Sequence, residues 1–381
     1  MVYFLSDNII SSLGFSTNEN FQALLAGQIG IRNIDYKKYY PEPFPASIVD
    51  TDLLDQNFNL TETSANYTRL EKMLILSIDD ALKKTDVDVQ SKRTGIIIST
   101  TKGNIDLLEP QHQNKFDKNR VLLWRLGEII GNYFNNPNQT IVLSNACISG
   151  VLALNIAATL IKKGSFDNMI VTGGDIVSSF VVSGFMSFLS LSPKPCKPFD
   201  LERDGLSLGE GAGTIILGNQ SQDPNKIAVM GGGSANDANH ISGPSRTGEG
   251  SFIAIKKAIS ESRIEPTSID YISAHGTATD YNDEMESIAI SRAGLEEVPV
   301  NSFKGNWGHT LGAAGIIETV AMLQEMRENI LIQSAGYSQH GVSKEINVIR
   351  ENTKADLNVC LKMASGFGGS NASLIAKKIK S

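Results

Sequence analysis

The chain has 381 residues, enough for two or three units of ordinary domain size around a large core. With 41% hydrophobic and 20% charged residues it reads as globular, which excludes long disordered tails, and a formal net charge of −7 excludes a global basic field for nucleic acid. Three cysteines, Cys147, Cys196 and Cys360, make a poor disulfide framework. They suit free thiols in a reducing compartment. The opening stretch "MVYFLSDNIISSLG" has no basic start before a long apolar run, and no segment approaches the roughly 20 apolar residues of a bilayer span. Cytoplasm is the expected location.

In chain order, "YTRLEKMLILSIDDALKK" (67–84) predicts a helix and "GIIIST" (95–100) a buried strand. "IVLSNA" (141–146) predicts a second strand, followed by a helix over 149–164 that ends in Lys-Lys-Gly, a helix stop. "NMIVTGG" (168–174) and "GTIILG" (213–218) predict further strands. The second half repeats the scheme, with strands over 269–276 and 298–303, helices over 283–294 and 312–328, and closing strands over 358–367 and 373–378. Such alternation predicts α/β layers. Each half runs a strand into a reactive residue and then a helix, and closes on a Gly-rich turn feeding an apolar strand, "GEGAGTIILG" and "GFGGSNASLIA". That symmetry suggests a duplicated unit. The expected halves are 1–218 and 227–381, with the seam in the polar stretch "NQSQDPNK" (219–226).

Three residues could carry chemistry. Cys147, in "SNACISG", stands between a strand and a helix, where the helix dipole and free N–H groups favour a thiolate. It could equally be a small buried thiol packing the turn. His275, in "AHGTATDYND", ends an apolar strand and could act on a ligand or cap the sheet. His309 lies in "KGNWGHTLGAAG", whose small residues permit a close backbone approach or a tight helix start. Lys304 follows a strand and could be a surface charge or a buried partner of carboxylates. One thiol with two histidines exceeds the needs of a thiol hydrolase, and the spacings match no zinc signature.

These segments together resemble the β-ketoacyl-[acyl-carrier-protein] synthases of the type I/II elongating kind, over nearly the whole chain. "SNACISG" is similar to the nucleophile motif, "PFDLERDGLSLGEGAG" (198–213) to the central structural motif and "AHGTATDYNDEMES" to the first histidine motif. "NSFKGNWGHTLGAAG" is similar to the Lys/His motif and "GFGGSNAS" (366–373) to the C-terminal Gly-rich motif. The resemblance implies the thiolase fold, two pseudo-repeated halves in a five-layer α-β-α-β-α sandwich. It implies decarboxylative Claisen condensation of malonyl-ACP with an acyl group on Cys147, in fatty-acid or specialised polyene or polyketide synthesis. His275 and His309 would hold the enolate oxygen, and the backbone N–H groups of Cys147 and Phe367 the tetrahedral oxyanion. Phe367 would also be the gating aromatic. Thr277 and Thr279 would bind the pantetheine arm. Lys304, Asp283, Glu286 and Glu318 would form a buried charge network behind the histidines. Asp200, Arg203 and Asp204 would be structural. No metal or resident cofactor is implied, because phosphopantetheine arrives on the acyl carrier protein. The implied assembly is a homodimer, or a heterodimer with a chain-length-factor-like subunit.

The sequence departs from that pattern in places. Asn145 stands where the family often has Thr, Ser365 where it often has Phe, and the region before Cys147 is short. "STTKGN" (99–104) replaces a Gly-rich apolar stretch near the acyl pocket, so Lys102 would meet the acyl chain or the dimer surface. A polar, short, unsaturated or aryl-bearing chain would suit such a wall better than a long saturated one. Carrier docking would need a local basic patch, with Arg69, Lys72, Lys115, Lys118 and Arg120 as candidates. Single residues weigh against three alternatives: a non-catalytic chain-length-factor-like subunit would typically lack Cys147, a thiolase would carry a second Cys in the C-terminal Gly-rich region, where this chain reads "GFGGSN", and an initiating type III synthase would carry Asn in place of His309.

Overall fold

The computed structural model describes residues 1–35, 42–59, 66–112, 115–237 and 245–379. Its helices are α1 (Thr17–Leu25), α2 (Thr51–Asn59), α3 (Arg69–Leu82), α4 (Leu123–Tyr133), α5 (Ser149–Lys162), α6 (Ser179–Ser187), α7 (Glu249–Ser262), α8 (Asp280–Arg292), α9 (Lys304–Trp307) and α10 (Ala314–Glu328). Its strands are β1 (Val2–Ile10), β2 (Arg32–Ile34), β3 (Phe44–Ser47), β4 (Thr94–Ser99), β5 (Ile141–Leu143), β6 (Asn168–Asp175), β7 (Leu208–Gly209) and β8 (Gly211–Gly218). The second half adds β9 (Ile227–Asn236), β10 (Tyr271–Ser273), β11 (Val300–Asn301), β12 (Ile330–Leu331), β13 (Thr353–Lys354), β14 (Val359–Gly366) and β15 (Ser370–Lys378).

The main strands lie in the order β11-β10-β14-β15-β9-β1-β8-β6-β4-β5. This continuous sheet is two copies of one pattern. In the first half β4 is parallel to β5 and β6, β6 is antiparallel to β8, and β8 is antiparallel to β1. In the second half β10 is parallel to β11 and β14, β14 is antiparallel to β15, and β15 is antiparallel to β9. The copies join where Val2 pairs with Val229 and Tyr3 with Ala228.

The layering follows from which helix faces are apolar. Strands buried on both faces read as continuous apolar runs, as β6 and β8 do. Helices α5 and α10 lie between the two five-stranded portions, and α10 buries twelve residues, including Glu318 and Glu325. Amphipathic α3 covers the outer face of β1, β6 and β8, with Leu70, Met73, Leu74 and Ile78 inward. Helix α7 covers β9 and β15 and packs beside α8. The result is the α-β-α-β-α sandwich of the thiolase fold.

Arg69, Arg120 and Lys72 correct the expectation of a basic patch. Arg69 is ion-paired with buried Glu210 and Arg120 with fully buried Glu71. Lys72 pairs with Asp55 at 2.6 Å. These side chains tie the first half together, and only Lys115 and Lys118 of the five candidates are exposed.

Candidate active site

Cys147 stands beyond the end of β5, in a turn where Ala146 adopts φ 44°. A non-glycine residue held there is strained, and such strain clusters at functional sites. The turn is fixed from both sides. Ser149 Oγ accepts from the Asn145 N–H at 2.8 Å and donates to the Ala146 carbonyl at 2.6 Å. The expected strand over 141–146 therefore stops at Leu143, because the chain must bend to present Cys147. The expected helix N-terminus is also looser than the sequence suggests. Cys147 precedes the first helical residue by two positions, and burial pushes its thiol up to about 11 against the opposing charges of Lys102 and Lys304.

His275 follows β10, in a loop held by two carboxylates of α8. Glu286 accepts from the N–H groups of His275 and Gly276 at 2.6 and 2.7 Å. Asp283 accepts from the N–H groups of Thr277 at 2.8 Å and Phe199 at 2.7 Å. Desolvation raises both carboxyls, Glu286 to about 7, while these N–H groups oppose it. The expected charge network is thus corrected. Among the described residues only Glu318 pairs with Lys304, at 2.6 Å, whereas Asp283 and Glu286 brace backbone. Thr277 and Thr279 join hydroxyls at 2.9 Å on the cleft wall.

His309 is fixed through its backbone. Its N–H donates to Ser207 O at 2.8 Å and its carbonyl accepts from Gly209 N at 3.0 Å. Gly308, at φ 70°, makes that approach possible, since a Cβ there would meet Leu208 O at 2.6 Å. The central segment 198–213 therefore carries His309 on its far end. Within it, Asp200 accepts from the Ser338 and Gln339 N–H groups at 2.7 and 2.9 Å, Arg203 donates to Asp200 O at 3.1 Å, and Asp204 accepts from Ser192.

The three reactive groups meet. Cys147 Sγ and one ring nitrogen from each histidine all lie within 4.8 Å of one another, and the rings pack edge to face with centroids 5.2 Å apart. The surroundings fix the tautomers. Nδ1 of His309 faces the Leu311 N–H at 3.3 Å, and Nδ1 of His275 faces Lys304 Nζ at 3.3 Å. Each Nδ1 is an acceptor, so each Nε2 carries the proton. A metal-bound histidine needs the reverse, its second nitrogen donating to a carbonyl or carboxylate. Burial, and then the Lys304 charge, hold both imidazoles well below the ordinary histidine range. The pair is therefore neutral and offers two N–H donors.

A cleft reaches this trio from the surface, past Thr277, Thr279, Tyr281 and Phe367. The Phe367 ring is 38% exposed, stacks on Phe185 at 5.6 Å and meets Phe188 edge-on at 5.3 Å. Behind it the backbone of Gly366 runs close to Cys147, where a Cβ would lie 3.0 Å from Cys147 N. That brings the backbone just before Phe367 up against the Cys147 amide. Ser365 lines the cleft and donates to Asn371 Oδ1 at 2.8 Å, so a polar contact takes the place of a ring. Lys102 is half-buried, donates to Thr101 Oγ1 at 3.0 Å, and acts electrostatically on both Cys147 and His309.

Two residues escaped the sequence reading. Asp175, at the end of β6, accepts from Thr100, Thr101 and the Gly312 N–H, and so fixes the turn after β4 to the start of α10. Lys362 lies fully buried in β14 and pairs with Glu318 at 2.6 Å. A lysine inside "NVCLKMASG" was the available signal, because that strand is otherwise apolar enough to be covered on both faces.

Residues 8–223 match the beta-ketoacyl synthase N-terminal domain and residues 227–338 the beta-ketoacyl synthase C-terminal domain. A putative mitochondrial 3-oxoacyl-[acyl-carrier-protein] synthase from Schizosaccharomyces pombe is 31% identical over 97% of both chains. The 3-oxoacyl-[acyl-carrier-protein] synthase 2 of Vibrio harveyi is 28% identical, also over 97% of both. Among solved structures, the ishigamide ketosynthase/chain length factor superposes with a TM-score of 0.89 at 24% identity over 99% of both chains. A ketosynthase from Xenorhabdus doucetiae, in complex with its chain length factor, superposes at 0.86 with 27% identity over 99% of this chain and 98% of that one. Fold and matches together define an acyltransferase of the condensing type. The chain belongs to the beta-ketoacyl synthase family.

Proposed function

We propose that Cys147 takes an acyl group from a carrier-protein thioester and that His275 and His309 drive its condensation with malonyl-ACP. In the first step the Cys147 sulfur bonds the acyl carbon and the pantetheine thiol leaves with a proton. In the second, the malonyl carboxylate departs as carbon dioxide and its bonding pair becomes an enolate, whose oxygen lies between the two Nε2–H donors. The enolate carbon then attacks the acyl–Cys147 thioester. The oxyanion sits against the N–H groups of Cys147 and Phe367, and its collapse returns Cys147 and releases β-ketoacyl-ACP. The steps balance without a redox group or resident cofactor. The observation that carries this reading is that both Nδ1 atoms face donors, which leaves two N–H groups beside one thiol. Mixing the protein with a panel of acyl-ACPs and weighing it intact tests it. A mass increase on wild type that Cys147→Ala loses supports the assignment, and acylation of the alanine variant removes it.

The partners follow from two surfaces. Phe188 and Tyr281, 52% and 79% exposed, flank the mouth of the cleft, where a pantetheine arm would enter, and the arm would bond Thr277 and Thr279. At the far end of the sheet β5 is an edge strand, with Ile141 37% exposed and Trp124 of α4 60% exposed beside it. An open edge with apolar flanks calls for cover. A second copy of this chain, pairing β5 with β5 across a twofold axis, supplies it. Sedimentation of the purified chain decides: a dimer supports the homodimer, and a monomer that dimerises only with a chain-length-factor-like subunit replaces it. No helix among the described residues is long and apolar enough to cross a membrane, and three buried free cysteines suit the reducing cytoplasm.

A further inference from the structure

Glu318 on α10 is held by two lysines. Lys304 Nζ lies 2.6 Å from one carboxylate oxygen and Lys362 Nζ 2.6 Å from the other. The two lysine side chains are wholly buried and Glu318 is 1% exposed. Lys362 Nζ also reaches Ala274 O at 3.0 Å, Ser273 O at 3.2 Å and Ser273 Oγ at 3.3 Å. It therefore grips the end of β10, one residue before His275, and the carboxylate that orients Lys304.

One lysine would neutralise Glu318. The second is a further buried ammonium, which burial pushes down while Glu318 opposes that. An apolar side chain of similar length would fill the same place in β14, but it would leave Glu318 Oε2 and the Ala274 carbonyl without the donor they have now. Lys362 therefore does more than fill space in the strand. The charged and titratable groups facing it are Glu318 on α10, Lys304 on α9 and Glu286 on α8. Glu286 is already engaged by the N–H groups of His275 and Gly276. The Lys362 charge also reaches the histidine pair, where it is among the causes that depress both imidazoles.

We propose that Lys362 is a positioning residue for the decarboxylation step, anchoring Glu318 and the backbone ahead of His275 so that Lys304 stays against the His275 Nδ1, and adding a positive charge on the side of the site where an enolate would form. This rests on the reading of His275 and His309 as the enolate-holding pair. Carbon dioxide leaves and the electron pair remains on the enolate, while Lys362 touches no reacting atom and moves no proton.

The test uses the full chain with Lys362→Met and Lys362→Gln, and measures carbon dioxide release from malonyl-ACP, acyl transfer to Cys147 and thermal stability. The methionine variant is expected to melt below the wild-type temperature, because Glu318 Oε2 loses its donor, and still to acylate Cys147. Its kcat for decarboxylation should fall about 10- to 100-fold with KM unchanged. The acid limb of its pH profile should move to higher pH, because the charge that depresses the imidazoles is gone. Lys362→Gln keeps a donor without the charge, so it should recover part of kcat while its acid limb stays where the methionine variant puts it. Wild-type kcat and pH profile in either folded variant overturn the proposal. His309→Ala separates this outcome from failure of the underlying reading: if that variant still decarboxylates malonyl-ACP, the histidine assignment is what falls.

Discussion

Gly150 and Gly315 meet backbone to backbone. A Cβ on Gly150 would come within 2.8 Å of Ile316 N and 3.0 Å of Gly315 Cα, and one on Gly315 within 2.5 Å of Val151 N. Each is the second residue of its helix, α5 in the first half and α10 in the second. The contact is where the two halves cross, and it brings the segment carrying Cys147 to the segment carrying His309.

Gly315→Ala tests that contact. In an ordinary helix the change would add up to about 1 kcal/mol of stability. Here the new methyl meets backbone, which cannot swing aside, so a lowered melting temperature is expected. In whatever fraction folds, α10 must shift with His309, and condensation should fall more than Cys147 alkylation does. A variant as stable and as active as wild type would show that the crossing has slack.

The resting thiol sets a pH dependence. Burial pushes Cys147 up to about 11, so its alkylation by iodoacetamide should climb continuously from pH 7 to pH 10. Cys147 lines the cleft, whereas Cys196 is 2% and Cys360 0% exposed, so mass mapping at low reagent should find the label on Cys147. A rate that levels off near pH 7 would mean a thiolate stabilised more strongly than these contacts allow.

Lys102 bears on both reactivity and acyl preference. Its charge opposes the effect of burial on Cys147, so Lys102→Ile should slow alkylation at a fixed pH. An ammonium whose charge reaches the thiol is a poor neighbour for a saturated tail that extends toward it. Wild type should therefore show a higher kcat/KM for short, polar or unsaturated acyl-ACPs than for palmitoyl-ACP, and Lys102→Ile should narrow the gap. Equal preference in both proteins would mean that the tail never meets this side chain.

Much of this site was legible because its motifs are contiguous in the chain. Cys147, His275, His309 and Lys304 each lie in a short segment whose glycines and strand ends declare a tight turn. Strand β9 was not legible, because "AVMGGGSAN" reads as a loop. The structure shows why the glycines are there: a Cβ on Gly233 would meet Ala254 O of α7 at 2.1 Å, and one on Gly232 would meet Asn155 Oδ1 of α5 at 2.2 Å. The roles of Asp283 and Glu286 were misjudged for a different reason. Their positions in α8 fix which loop they face, but only the folded loop reveals that its N–H groups reach them before any lysine does.

Glu325 supplies a stability prediction away from the chemistry. It is buried in α10 and accepts from the Ile332 N–H at 2.9 Å, and desolvation raises its carboxyl to about 8. Its folded value lies above the unfolded one, so the folded state binds the extra proton. The associated stability is present at low pH and is lost as pH rises toward 8, at up to about 1.4 kcal/mol per pH unit. Glu325→Gln keeps the acceptor and removes the titration. Denaturant unfolding should therefore show the variant gaining on wild type between pH 6 and pH 8. A constant difference across that range would place the proton elsewhere.

The locked ring tautomers have a consequence for water. Both histidines turn N–H groups toward the thiol and keep their lone pairs on Nδ1, against the Leu311 amide and Lys304. Neither can take a proton from a water molecule lying over an acyl–Cys147 thioester, and hydrolysis of such an intermediate depends on a base in that position. The arrangement that welcomes an enolate thus withholds help from the commonest competing nucleophile. An enzyme acylated on Cys147 is therefore expected to hold its chain until an extender unit arrives.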